Sequence, residues 1–161
     1  MNTNANARSA DPATTGRHAT VLAFDFGTRR IGIAVGNTVV RVAHPLTTID
    51  GEANAVRLKA IDALVGEWAP GVLVVGRPLD GDGSEHAMTA RAGRFARQLE
   101  ARYGLPVARV DERYTTRAAA AALGEAGVRG RAREAALDEV AAQLILQSWF
   151  DEPNPGTTTP P

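Results

Sequence analysis

Apolar and polar positions follow different rhythms along the chain, and those rhythms predict its elements. Residues 21–26 (VLAFDF) form an apolar run broken by one carboxylate, Asp25, and residues 31–35 (IGIAV) form a second, largely β-branched run. The short link Gly27-Thr28-Arg29-Arg30 joins them, which predicts neighbouring antiparallel strands. Residues 39–49 read as a third strand with Pro45 near its middle. Proline removes a ladder donor, so this strand is expected at a sheet edge or kinked there. Residues 52–68 place Leu58, Ile61, Val65 and Trp68 on one helical stripe, with Arg57, Lys59 and Asp62 off it, and Pro70 stops the helix. The all-apolar stretch 72–75 predicts a strand covered on both faces.

Beyond a turn-rich loop at 76–85, a helix capped by Asp82 or Ser84 is expected to run to about Tyr103, with Met88, Ala92, Phe95 and Leu99 on one face and Gly104 ending it. Residues 105–110 form the next strand. Thr115 or Thr116 opens a helix of mostly alanines that finishes at Gly127. A basic connector, 129–133, leads to a last helix at about 134–150. The order β-β-β-α-β-α-β-α-α predicts an α/β fold: a mixed five-stranded sheet, three antiparallel strands and then parallel additions, with helices on both faces. Residues 1–18 and 151–161 are small, polar and aperiodic, and read as disordered tails around one domain at 19–150.

Composition narrows the chemistry. The absence of cysteine excludes disulfides, thiolate metal sites and cysteine nucleophiles. No run approaches transmembrane length and no apolar leader opens the chain, so a cytoplasmic protein without a membrane partner is expected. The 18 basic and 18 acidic residues cancel, which argues against holding nucleic acid by net charge alone. Between Arg91 and Arg133, however, arginines outnumber acids, and a local phosphate-facing patch remains open.

An unpaired carboxylate in a buried strand costs several kcal/mol, roughly, so Asp25 needs a partner. It shares its strand face with the small residues beside it, Val21 and Ala23. Asp111 and Glu112 follow the 105–110 strand, at the kind of edge where parallel sheets place ligands. They point to opposite faces, and the pattern leaves open which one joins Asp25. Asp138 heads a small and apolar helical stripe with Ala141, Ala142, Ile145 and Trp149. Each acid has a plainer account: Asp25 paired with Arg29 or Arg30, Asp111 or Glu112 with Arg113, and Asp138 set against the helix dipole. Together they form a convergent set that a divalent cation would neutralise. Oxygen ligands without Cys, and histidines only at positions 18, 44 and 86, point to Mg²⁺ or Mn²⁺. Two such ions about 3.5–4 Å apart are the arrangement that cleaves phosphodiesters.

The segments DFGTRRIGIAVG (25–36), VVGRPLDGDGSE (74–85), VDERYTT (110–116) and LDEVAAQLIL (137–146) together resemble the YqgF/RuvX family. The likeness spans about residues 20–150. It implies a ribonuclease H-like fold and a nuclease to which pre-16S rRNA processing and Holliday junction resolution are both ascribed. It further implies that the acidic set, catalytic and metal-binding, is Asp25, Glu112 and Asp138, with Asp111 in a supporting part. By the same resemblance the GDGSE and DERYTT segments lie at the substrate face. Backbone groups of Gly81, Gly83 and a helix start at Ser84 are then candidates for holding phosphate, as are Arg30, Arg113 and Arg131. Two departures from the family pattern are Arg77, where an apolar residue is expected, and arginine (Arg131, Arg133) where lysine is expected before the last-helix acid.

The expected activity is a metal-dependent nuclease on pre-rRNA in ribosome biogenesis, with the ribosomal subunit or processing factors as partners, acting as a monomer or homodimer. Three alternatives differ in class. A Holliday junction resolvase would need a symmetric dimer for paired cuts. A non-catalytic nucleic-acid-binding module would gain nothing from a repulsive acidic cluster. The Asp-Phe-Gly-Thr segment also resembles the phosphate hairpin of actin-like and sugar-kinase ATPases, but those need two such domains.

Overall fold

The structure is a computed structural model and describes residues 19–113, 121, 124, 127 and 130–153. Both proposed tails (apart from the few residues within that range), the helix proposed to open at Thr115 or Thr116, and the side chain of Arg131 lie outside the described residues.

Strands β1 (Thr20–Phe26) and β2 (Arg30–Asn37) form the expected hairpin, with Asp25 opposite Gly32. Strand β3 (His44–Asp50) pairs antiparallel with β2 at the sheet edge, so Pro45 costs no ladder bond to an outer neighbour. Opposite Ile33-Ala34 the partners are Thr47 and Pro45, and Leu46 bulges out of register. β3 starts later than the apolar pattern suggested. The Asn37 side chain accepts hydrogen bonds from the N–H groups of Val39 and Val40, and its carbonyl accepts from Arg41 N–H. That tight turn, with Arg41 at φ 59°, takes residues 38–40 out of the strand. β4 (Val72–Arg77) lies parallel to β1, and β5 (Val107–Asp111) parallel to β4. The order β3-β2-β1-β4-β5 with helices on both faces is the mixed five-stranded arrangement the sequence predicts.

Helices α1 (Asn54–Trp68) and α2 (Ala87–Tyr103) cover one face of this sheet. α2 begins after neither Ser84 nor Asp82. His86 caps it, its side chain accepting from Met88 N–H while Thr89 Oγ1 accepts from His86 N–H. α1 departs from its pattern too: Arg57, expected off the apolar stripe, is buried. Its guanidinium donates to the carbonyls of Gly51 (2.8 Å) and Gly27 (2.6 Å).

Helix α3 (Gly130–Asp151) is the helix that, among the described residues, packs against the other face, and it touches all five strands. Its far half is tied to the turn before β3: Gln147 accepts from Ala43 N–H and donates to Arg41 O, and Gln143 donates to Ala43 O. α3 starts about one turn earlier than the sequence pattern suggested, so Asp138 sits beyond its first two turns and the dipole account of that residue falls away. Among the described residues no helix is long and apolar enough to cross a membrane.

Candidate active site at the ends of the parallel strands

Asp25 lies one residue from the end of β1, on the face that α3 covers. Glycines flank it on both sides. Gly32 is its partner on β2; on β4, Val75 pairs with Phe24, which brings Gly76 alongside. Each glycine is required by a close approach. A Cβ on Gly32 would lie 2.0 Å from the carbonyl oxygen of Asp138, so the α3 backbone rests directly on the sheet there. A Cβ on Gly76 would lie 3.0 Å from the Glu112 carboxyl and 2.6 Å from Ile145 Cδ1. One glycine therefore admits the helix that carries Asp138, and the other admits the side chain of Glu112.

Glu112 follows the last residue of β5, and its N–H donates to Arg77 O (3.1 Å), extending the parallel ladder by one step. Val110, two residues earlier, is buried on the α3 face, and alternation carries Glu112 to that same face. Its carboxyl hydrogen-bonds that of Asp25. Burial first, and for Glu112 the Asp25 charge as well, raises both groups above the ordinary carboxylate range, Asp25 to about 6 and Glu112 to about 9. Two such groups in contact favour holding one proton between them. Asp111 points the other way. It binds Arg113, whose Nη2 lies 2.7 Å from its carboxylate, and this holds the Asp111 carboxyl below its usual range.

The charge of Asp138 reaches Asp25 and helps to raise it, but its carboxylate is bonded to Arg30 Nε at 2.6 Å. Glu134 stands 3.7 Å from the same guanidinium. The simple pairing of Asp25 with Arg29 or Arg30 is not what forms; Arg30 holds Asp138 instead. Among the described residues, no three acids or histidines are gathered as a metal-holding group. The structure brings Asp25 and Glu112 together and leaves Asp138 on the same side, turned to its arginine.

A cleft of about 330 Å³ opens over the pair, walled by Phe26, Pro78, Leu79, His86, Met88 and Arg113. Gly81, Gly83 and Ser84 are not among its lining residues. Their loop closes on itself: Gly83 N–H donates to Asp80 O, Ser84 N–H donates to Asp82, and Gly81 O accepts from Arg113 Nη1. With α2 starting at Ala87, the helix start expected at Ser84 does not form. Arg77 binds Glu85 rather than facing the acids. Sequence reasoning missed Gly32, Gly76, His86 and Met88. The two glycines carried a signal, since each interrupts an apolar strand next to an acidic position; the cap pair His86 and Thr89 carried a weaker one.

The RuvX family, described as Holliday junction resolvase, matches residues 19–152. A protein of Nitrosospira multiformis named "Putative pre-16S rRNA nuclease" is 49% identical over 92% of this chain and 98% of its own length. A Chromobacterium violaceum protein of the same name is 53% identical over 82% of this chain and 97% of its own. Among solved structures, T. thermophilus RuvC in complex with a Holliday junction substrate aligns with a TM-score of 0.49 at 19% identity, covering 81% of this chain and 92% of that one.

Proposed function

The chain belongs to the RuvX family, and from that premise we propose that it is a cytoplasmic, metal-dependent nuclease that hydrolyses phosphodiester bonds in processing the 5′ end of pre-16S rRNA. The observation that carries this reading is the Asp25–Glu112 carboxyl pair, held under an open cleft by a sheet that provides glycine on either side of Asp25. Folding two acids into one half-buried place raises both and forces them to share a proton, a cost that a purely structural pair would avoid by facing water.

The donor set suits a hard divalent cation, Mg²⁺ or Mn²⁺: it offers carboxylate oxygens, and a proton shared by the pair occupies ground that positive charge would take. Asp25 and Glu112 would hold it, joined by Asp138 once that carboxylate leaves Arg30. When bound, such ions supply a hydroxide-like water at neutral pH and charge to meet the leaving oxygen. The protein does the rest. Arg30 holds Asp138 near the site in the interim. Arg113, steadied by Asp111 and by Gly81 O, lines the cleft and offers positive charge to the scissile strand. Phe26, Leu79 and Met88 form an apolar wall that orients the strand beside the acids.

The test is cleavage of an end-labelled pre-16S fragment with Mg²⁺, Mn²⁺ or EDTA, beside a four-way DNA junction. Cutting of the RNA that needs metal, and that falls by roughly 10²-fold or more in Asp25→Asn, Glu112→Gln and Asp138→Asn, is the expected result. Full activity in EDTA or in Asp25→Asn would sink the reading. Symmetric cuts confined to the junction would transfer it to DNA and require a two-fold dimer.

A further inference from the structure

A second hollow opens on the opposite face of the sheet, about 220 Å³, and it is built from arginine. Arg57 from α1 and Arg91 and Arg94 from α2 line it, with Gln98, over the rings of Phe26 and Phe95. Arg91 and Arg94 are exposed and one helical turn apart, so they present a single face. Neither makes an ion pair with a described residue. Arg57 differs. It is fixed by the Gly27 and Gly51 carbonyls and packs over the Phe26 ring at 5.4 Å, and it feels the charge of Glu52 without pairing to it. Three arginines thus line one concavity whose lining includes no acid, two of them exposed and one tied to backbone carbonyls.

We propose that this hollow binds the sugar-phosphate backbone of the same RNA strand whose scissile bond enters the acidic cleft. Phe26, the last residue of β1, is a wall of both cavities, so a strand can pass from one to the other around the end of that single strand of sheet. Planar, forked guanidinium groups match phosphate oxygens, and the rigid Arg57 sets a fixed point that Arg91 and Arg94 extend. The acidic cleft alone is poor at attracting a polyanion, because the Asp25–Glu112 pair and Asp138 leave it negative. The arginine hollow supplies the attraction at a distance from the chemistry. A molecule with zero net charge in this way concentrates its positive field where the strand is gripped. This inference rests on the nuclease reading for the identity of the strand, and its test is separable from it.

The test is fluorescence polarisation of a labelled single-stranded RNA from the pre-16S 5′ flank, in EDTA, with the full chain and with the double variant Arg91→Ala/Arg94→Ala; Arg57 is left in place because it also holds the fold. The double variant is expected to bind at least about 10-fold more weakly and to lose about 1.4 from the slope of log K against log salt, the share of two phosphate contacts on a single strand. In cleavage its KM rises while kcat is kept. Unchanged affinity and slope would overturn the proposal while leaving the nuclease intact. A pocket-dependent RNA affinity in a protein that cuts nothing would uphold the grip and remove the nuclease. Pocket-dependent binding of poly-glutamate with none of RNA would overturn the proposal in favour of an acidic protein partner.

Discussion

The two faces of the sheet are made from different side chains. Toward α3 the central strands present Val21, Ala23, Asp25, Gly32, Ala34, Val74 and Gly76, whereas toward α1 and α2 they present Leu22, Phe24, Ile31, Ile33, Leu73 and Val75. Small residues let a helix lie on the sheet; large ones hold helices away and fill the gap. The α3 face therefore brings a helix backbone against β2 at Gly32, and with it an acid beside Asp25. The other face spends its volume on packing, including the rings of Phe24, Phe26 and Phe95, and uses a buried charge, Arg57, for tying down backbone carbonyls. The site is negative where the packing is thin and positive where it is thick.

The widest gap between the faces is expected from Gly32→Ala set against Ile33→Leu, adjacent residues on opposite sides. The alanine methyl meets Asp138 backbone that cannot flex aside, and about 3 kcal/mol or more of stability should be lost, with cleavage lost as α3 lifts. Ile33→Leu conserves volume and should cost less than about 1.5 kcal/mol. Equal denaturation midpoints for the two would erase the contrast. Next in size is Arg57→Met, which keeps the apolar stem over Phe26 but strands the Gly27 and Gly51 carbonyls. A loss of about 2 kcal/mol in urea melts is expected. No loss would mean that water replaces the guanidinium freely and that this face is less tightly closed than its packing implies.

The smallest effect separates the faces by pH. Asp25 and Glu112 titrate higher in the folded chain, so folding favours their protonated forms. Their contribution is complete below about pH 4 and is lost as pH rises through about 6 for Asp25 and about 9 for Glu112. In EDTA the melting temperature should fall by a few degrees across that window, and Glu112→Gln, neutral throughout, should flatten most of the fall. A slope unchanged in Glu112→Gln would place the titration elsewhere. Added Mg²⁺ is expected to reverse the trend, since a cation binds the ionised pair.

Most of this architecture is legible in the sequence because strands declare themselves by alternation and short links leave little choice of neighbour. Asp25 was legible for the same reason: an acid inside a buried run stands out. The choice of Glu112 over Asp111 needed the burial of Val110, which fixes the phase of β5, and the resemblance to a known family pointed the same way. The start of α3 was not legible, because residues 130–133 carry no apolar rhythm. Arg57 was misplaced because periodicity registers apolar contacts and is blind to carbonyls awaiting a donor. Ser84 looked like a cap by composition, but its groups serve the loop and His86 takes the part with Thr89. Gly32 and Gly76 were visible only as interruptions, since their meaning depends on what the third dimension sets above them.

The clasp of Gln143 and Gln147 on residues 41–43 has a mechanical consequence. Those amides play the part of a missing strand's peptide groups, and with Gly32 they anchor α3 at two points along its length. A rod pinned twice neither slides nor pivots. Were Asp138 to exchange its arginine for the proposed cation, the travel would have to come from rotation about its own side-chain bonds, with the scaffold standing still. Changing Gln147 would loosen that anchorage from the far end of the helix, without touching a single group in the cleft.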